Sequence, residues 1–411
     1  MSPPPPPSLG LWLAGGRGNV ATTTAVGAYA IAQGLADPTG LVTELPLFGS
    51  LPWPPLDAVP IGGWEVDTTP LLERARALTG PGGFLRPEHV EAAAAWLAAC
   101  DGEIRPGTTR GCGATIERVA GHGASGPAAE LVAQFKDDLI AYRERHHLDT
   151  VVVVNLASTE AAPPAPFPAD DLAALRRAIE GDDPCLPAST LYAVAALEAG
   201  CAWINFTPSP GGSCAALTAL AEECGLPLYG SDGKTGETLM KSVLAPLFAM
   251  RHLRVLAWEG YNLLGNGDGA VLDDPANKQT KVASKDHLLA EILGYPLHTR
   301  VGIDYVPSLD DWKTAWDLIH FEGFLGTRMT LQFTWQGCDS ALAAPLILDL
   351  ARLAGLAMAR GEAGPMTHLC SFFKSPMGET PADLAAQFDL LRRYLAEAAV
   401  EATGKGAEGT P

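Results

Sequence analysis

The sequence predicts an α/β fold: a parallel sheet covered by helices on both faces, interrupted by a mixed α+β insertion. Three features predict it. The stretches "TVVVVN", "CAWINF" and "LPLYG" are short continuous apolar runs, as strands buried on both faces require, and helix-length segments at 169–179 and 189–199 lie between such runs. A strand at 9–14 enters a glycine turn and then a helix at about 20–35, an order that brings backbone N–H groups and a helix N-terminus against a pyrophosphate. After Thr238 this rhythm stops, and longer strands and loops follow until two apolar helices close the chain.

Each element has a local reason. The first turn reads Gly15-Gly16-Arg17-Gly18-Asn19 and then Val20, a loose version of the dinucleotide fingerprint G-x-G-x-x-G. A strand at 60–63 runs into "GGWEVD", where Glu65 is placed to bind a ribose diol; it lies 47 residues beyond Gly18, so an insertion must separate the two. An acid there favours NAD over NADP, since a carboxylate repels a 2′-phosphate. The strand in "DTVVVVNLASTE" ends in Asn155, Ser158, Thr159 and Glu160, and that in "CAWINFTPSP" ends in Asn205 and Thr207. Ligands of such sheets sit at the carboxyl ends of the strands, where these polar residues gather. The stretch "YGSDGKTGET" imitates a P-loop, but Leu228 stands where G-x-x-x-x-G-K-[ST] needs its first glycine. It reads instead as a strand-to-helix seam.

Beyond that seam come a helix, "LMKSVLAPLF", a strand, "LRVLAWEGYNLLG", and the loop "NGDGAVLDDPANKQTKVASK". The segments "LDDWKTAWDLIHFEG" and "RMTLQFTWQGCDS" complete the insertion, and "ALAAPLILDLARLAGLAMARG" and "PADLAAQFDLLRRYLAEAAVEA" are helices that return to the first sheet. The expected organisation is a tail at 1–8, a Rossmann-type domain at 9–238, an α+β catalytic and oligomerisation domain at 239–339, returning helices at 340–400 and a tail at 401–411.

Composition narrows the function. A net charge of −19 argues against nucleic-acid and anionic-membrane partners, which need a positive face. No apolar run approaches the roughly 18 residues of a membrane span, and "MSPPPPPSLG" has neither the basic nor the apolar region of a secretion signal, so the expectation is a cytoplasmic protein. The eight cysteines form no C-x-x-C pair or zinc pattern and read as reduced, mostly buried thiols, while His146 and His147 read as a solvated helix end. Lysine is the informative residue. Only nine of the 28 basic residues are lysines, and Lys136 is the single one before Gly230. Lysines 234, 241, 278, 281, 285, 313 and 374 all fall in the segment that holds the Gly- and Asp-rich turns. A buried amine, unlike a guanidinium, exchanges protons near neutrality, which proton-transfer chemistry requires.

Four stretches together resemble the myo-inositol-phosphate synthase (inositol-3-phosphate synthase) family, over nearly the whole chain apart from its two tails. The shorter archaeal and bacterial form is the nearest. "GSDGKTGETLMKSVL" is similar to the family's Gly-Asp-Asp-x-Lys-Ser-Gly-Gln-Thr, and "YNLLGNGDGAVL" to its Tyr-Asn-His-Leu-Gly-Asn-Asn-Asp-Gly. "KQTKVASK" is similar to its pair of lysines four apart, and "CDSALAAPLILDL" to its Asp-Ser before a Pro-Leu-Ile helix. The chain departs from the pattern at Ser231, Leu263 and Gly267, and has Arg17 and Val20 where the family often has Gly and Asn.

The resemblance implies NAD-dependent conversion of glucose 6-phosphate to an inositol monophosphate: oxidation at C5, enolisation at C6, closure onto the C1 aldehyde and re-reduction. It assigns proton exchange at the C5 oxygen to Lys281 and at the C1 oxygen to Lys374. Lys285 and Lys313, with Ser284, hold the phosphate or the enolate, while Asp232, Asp268 and Asp339 orient the amines and the cofactor. Cofactor contacts fall to Gly15, Gly16, Gly18, Asn19 and Val20, to Glu65, to Ala157, Ser158, Thr159 and Thr207, and to Asp232, Thr235, Asn266 and Asp268. Shorter members often use a divalent metal (Zn, Mg or Mn) near the phosphate, for which the sequence shows no ligand cluster, and the family habit is a homotetramer. Three rivals remain. A sibling cyclase would act on another sugar phosphate, such as fructose 6-phosphate, a plain dehydrogenase would accumulate NADH, and an NAD-binding regulator would turn nothing over.

Overall fold

The structure, a computed structural model, describes residues 6–49, 51–121, 123–163, 167–265 and 287–404. Eleven strands are named among them: β1 Leu9–Ala14, β2 Ile61–Glu65, β3 Ile104–Pro106, β4 Thr150–Asn155, β5 Ala202–Asn205, β6 Pro227–Gly230, β7 Arg254–Leu264, β8 His298–Tyr305, β9 Trp312–Glu322, β10 Arg328–Cys338 and β11 Gly364–Pro365. They form two sheets. The first runs β11-β6-β5-β4-β1-β2-β3, every pairing parallel. The Rossmann-type parallel sheet is therefore present, with β11 added at one edge. β3 and β11 were not foreseen, being too short for periodicity to register; the proline of β11 sits on an edge strand, where a missing N–H is tolerated.

Each face of this sheet has its own core. On one, Leu9, Leu11, Leu13, Val152 and Val154 pack under Ala21, Ala25 and Ala28 of the helix Asn19–Ala32 and Ile347, Leu350 and Leu353 of the helix Asp339–Ala359. On the other, Trp12, Trp64, Val151 and Val153 meet Phe135 and Tyr142 of the helix Ala128–Arg145 and Tyr192 of the helix Ala188–Glu198. The all-apolar reading of β4 is thus explained by burial on both sides. One expectation needs correcting. The helix Asp339–Ala359 is long and apolar enough to cross a membrane by length and composition, but 67% of its most apolar 18-residue stretch is buried inside the protein. His146 is likewise not simply solvated: its Nε2 lies 3.2 Å from Oε1 of Glu103 and its ring packs on Tyr142.

The second sheet is inserted in the chain between β6 and β11 and runs β10-β9-β7-β8, with β8 parallel to β7 and the other pairs antiparallel. Ala245 and Phe248 of the helix Glu237–Met250, together with Leu289, cover one face through Val255, Trp258 and Ile319. The other face presents Tyr261 and its cross-strand partner Trp316, both exposed. All eight cysteines are unpaired, and six are buried.

Candidate active site

The glycine turn after β1 has the geometry of an anion cradle. Gly15 adopts φ +86°, and a Cβ there would lie 2.9 Å from the backbone nitrogen of Ala157, so no other residue fits between the first turn and the loop after β4. Gly18 caps the helix Asn19–Ala32 without any side-chain bond, and no acid occupies the first helical turn. The N–H groups of that turn are thereby left for a ligand, at the positive end of the helix dipole. Asn19 and Val20 open this helix. Glu65, at the end of β2, accepts the Arg17 backbone N–H at 2.9 Å and the N–H groups of Val66 and Asp67 at 2.7 and 3.1 Å. Its carboxylate therefore shapes the turn, and Oε2, with one donor, keeps acceptor capacity.

β1 and β4 are neighbours, with β2 on one side and β5 on the other, so the chain order reverses between them and the strand ends splay into a crevice. Ala157, Ser158 and Thr159 follow β4 there; Ala157 donates its N–H to Oδ1 of Asn155 at 3.2 Å. Asn155 donates to Asn205 Oδ1 at 3.1 Å and to the Thr207 hydroxyl at 3.2 Å, and that hydroxyl donates to Asn205 at 2.8 Å. Thr207 also accepts the Ser209 N–H at 3.2 Å, so its hydroxyl is fully engaged in bracing the crevice. Glu160, whose role the sequence did not reveal, is wholly buried and accepts the Ser189 N–H at 2.8 Å and its hydroxyl at 2.5 Å. Burial outweighs those donors and pushes its carboxyl up to about 7.

The seam after β6 brings the charged groups together. Its backbone is tied twice, by Asp232 N–H to the Thr207 carbonyl at 3.1 Å and by Lys374 N–H to the Asp232 carbonyl at 2.7 Å. These bonds set the Lys374 amine 2.8 Å from Oδ1 of Asp232, with both side chains almost wholly buried. Oδ2 of Asp232 is buried with no hydrogen-bond partner among the described residues, an acceptor aimed at a missing donor. Four residues on, the Lys313 amine lies 3.3 Å from where a Cβ on Gly236 would stand, beside Thr235 and at the N-terminus of the helix Glu237–Met250. The same amine is 3.9 Å from Oδ1 of Asp339, the first residue of the helix Asp339–Ala359. Two amine–carboxylate pairs thus flank one turn. Glu237, which stands where the family motif has Gln, is buried and paired with Lys241 at 2.7 Å and with the Asn262 amide at 2.6 Å.

Of the sequence-derived residues, Gly15, Gly16, Gly18, Asn19 and Val20 form the turn and the start of its helix, Glu65 and Ala157 lie against that turn, and Ser158 and Thr159 follow Ala157 in the loop after β4, while Asp232, Thr235, Lys313, Asp339 and Lys374 gather at the seam. Asn266, Asp268, Lys281, Ser284 and Lys285 lie outside the described residues. Lys234 takes a different course: its buried amine donates to Oε1 of Gln387 at 2.5 Å, on the helix Leu384–Gly404, and burial lowers its pKa to about 8. No sequence spacing signals that partner. Among the described residues no three His, Cys, Asp or Glu side chains converge as metal ligands. An NAD molecule, by contrast, fits the uncapped helix terminus that follows the glycine turn.

Comparison with known proteins identifies the family. A family model described as myo-inositol-1-phosphate synthase matches residues 9–396. Inositol-3-phosphate synthase 1 of Bacteroides thetaiotaomicron is 32% identical over 94% of this chain and 94% of its own. Inositol-3-phosphate synthase 1 of Oryza sativa is 30% identical over 85% of this chain and 75% of its own. The crystal structure of inositol-3-phosphate synthase from Caenorhabditis elegans shares the fold, with a TM-score of 0.85 over 96% of this chain and 86% of that one at 23% identity. The chain belongs to the myo-inositol-1-phosphate synthase family.

Proposed function

We propose that this chain is an NAD-dependent, redox-neutral cyclase that converts D-glucose 6-phosphate to 1D-myo-inositol 3-phosphate. The observation that carries the reading is the seam itself, where the Lys374–Asp232 and Lys313–Asp339 pairs flank a turn beside a dinucleotide cradle. Bound NAD supplies the hydride acceptor at C5 of the sugar and, after closure, the hydride donor to the same carbon. Gly15, Gly18 and the N–H groups of the first helical turn would hold its pyrophosphate, and Glu65 would hydrogen-bond its adenine ribose.

The side chains move protons. Oxidation at C5 releases a hydroxyl proton, the ketone acidifies C6, and the enolate carbon attacks C1, whose oxygen then takes a proton. Re-reduction returns a proton and a hydride, so substrate and product are isomers. A fixed ammonium near the developing enolate or alkoxide stabilises charge that appears only in the transition state. Lys374, locked by Asp232, is the proton donor at the C1 oxygen in this scheme, and Lys313, held toward Asp339, carries the phosphate or the enolate. Lys281, Lys285, Ser284, Asn266 and Asp268 complete it by family resemblance. No step here draws on a metal. The reading includes a cytoplasmic homotetramer; the exposed Tyr261 and Trp316 on the open face of the second sheet support self-association, whose order sedimentation would measure.

The decisive experiment incubates the protein with glucose 6-phosphate and NAD, with and without a chelator, and identifies the phosphorylated product. Inositol phosphate with no net NADH is expected. Accumulating NADH would indicate a dehydrogenase, and a carbocycle formed from fructose 6-phosphate alone would indicate a sibling cyclase. A loss of turnover with chelator, restored by Zn, Mg or Mn, would add a metal to the scheme.

A further inference from the structure

The carboxylate of Asp311 joins three parts of the molecule that a sugar cyclase must keep in one frame. Asp311 is buried just before β9, two residues ahead of Lys313. Its Oδ1 accepts the Asn19 side-chain amide at 3.1 Å and the Ser340 hydroxyl at 2.9 Å. Its Oδ2 accepts the Ser340 backbone N–H at 2.9 Å and the Cys338 thiol at 3.0 Å. Its backbone carbonyl accepts the N–H of Asp339 at 3.2 Å. Burial and the adjacent carboxylate push the Cys338 thiol pKa up, so the sulfur stays a donor.

The partners are not arbitrary. Asn19 is the first residue of the helix whose uncapped N-terminus forms the pyrophosphate cradle, and it is 292 residues away in sequence. Asp339 and Ser340 open the helix that carries the Lys313 partner, and Cys338 closes β10. A single buried side chain that accepts bonds from three separate residues is a stiff joint, because loosening any one element breaks bonds to the others. Hydride transfer and proton transfer both fall off steeply with sub-ångström misplacement.

We propose that Asp311 is a positioning residue that locks the cofactor turn to the Lys313–Asp339 pair, setting the nicotinamide in register with the amines. The proposal rests on the cyclase reading only for its kinetic consequence; the mechanical link stands apart from it. If Asp311 merely supports the fold, its loss will lower the melting temperature and leave cofactor affinity and turnover alone.

Three measurements on the full chain test this: NAD affinity from tryptophan fluorescence without sugar, the first rise of NADH on mixing with glucose 6-phosphate at saturating NAD, and thermal unfolding. Asn19→Ala is expected to weaken NAD about tenfold and slow the first NADH rise by on the order of a hundredfold, with little change in melting temperature. Asp311→Ala is expected to do at least as much, and adding Asn19→Ala to it should cost nothing more. Additive losses, or Asp311→Ala kinetics within about twofold of the parent, would overturn the proposal. Should Asp311→Ala fail to fold, hydrogen exchange carries the test: NAD should protect amides near Asp339 and Ser340 in the parent and not in Asn19→Ala. Protection that persists in Asn19→Ala overturns it. A parent protein that makes no inositol phosphate would defeat the cyclase reading while leaving the affinity and exchange arms readable.

Discussion

The amine of Lys374 lies 2.8 Å from Oδ1 of Asp232, although the two residues are 142 positions apart in the chain. Main-chain bonds on both sides of the pair hold it. Ser231 and Ser375 exchange N–H to carbonyl bonds at 2.8 and 3.1 Å, and Gly233 bridges Phe373. The pair is therefore set by backbone and is not a chance meeting of long side chains.

Removing one member should hurt twice. Lys374→Met leaves the Asp232 carboxylate buried without its cation, a change that costs about 3–5 kcal/mol, and removes a proton donor worth on the order of 10²–10⁴ in rate. Adding Asp232→Leu should restore most of the stability and none of the turnover. Urea unfolding alongside inositol phosphate formation checks both halves; recovery of activity in the double variant would remove Lys374 from the chemistry.

Two glycines of the first βα unit should respond oppositely to alanine. Gly15→Ala meets Ala157 at 2.9 Å in a left-handed conformation, so NAD binding followed by fluorescence should fall by at least about tenfold. Gly27→Ala, in the helix Asn19–Ala32 that follows this turn and with nothing within 4 Å of the new Cβ, should raise stability by about 0.5–1 kcal/mol. Equal effects on NAD affinity would count against the cradle.

Lys234 makes stability depend on alkaline pH. Its folded pKa, lowered by burial from 10.5 to about 8, lies below the unfolded value, so between these two the unfolded chain binds more protons. Stability should therefore rise as pH climbs through this window, by an amount on the order of 3 kcal/mol. Lys234→Met should flatten the rise and keep turnover within about fivefold, since the amine bonds to Gln387 rather than at the seam. Denaturation midpoints of the two proteins from neutral to alkaline pH give the comparison, and parallel curves would contradict it.

Glu160 gives the opposite slope in acid. Its carboxyl is raised from 4.5 to about 7, so the folded state keeps a proton that the unfolded chain has released. The contribution is complete below the unfolded value and is lost as pH rises through the folded one, again on the order of 3 kcal/mol. Glu160→Gln should remove that decline. A difference between parent and variant that stays constant across the same range would show that the carboxyl is ionised throughout.

Much of the fold was legible because it is written in local pattern. The apolar run of β4, buried on both faces, and the glycine turn before the helix Asn19–Ala32 each follow from composition and spacing within a few residues. β3 and β11, three and two residues long, carry no period to detect. β8 was missed for another reason: its "HTRVGIDY" mixes charge and apolar residues on a half-exposed sheet, so burial does not impress a clean alternation on it.

At the site the division is sharper. The clustering of lysines after Gly230 and the acids beside them is a one-dimensional property, and the resemblance to a cyclase family followed from motifs of a few residues each. Which amine meets which acceptor was not readable there. Lys234 and Lys374 flank the same seam, yet one turns to Gln387 and the other to Asp232. Asp311, an unremarked acid before Lys313, became the joint between cofactor turn and catalytic strand. A side chain's partner is chosen by what long-range packing brings within about 3 Å, and contacts spanning more than a hundred residues leave no local trace.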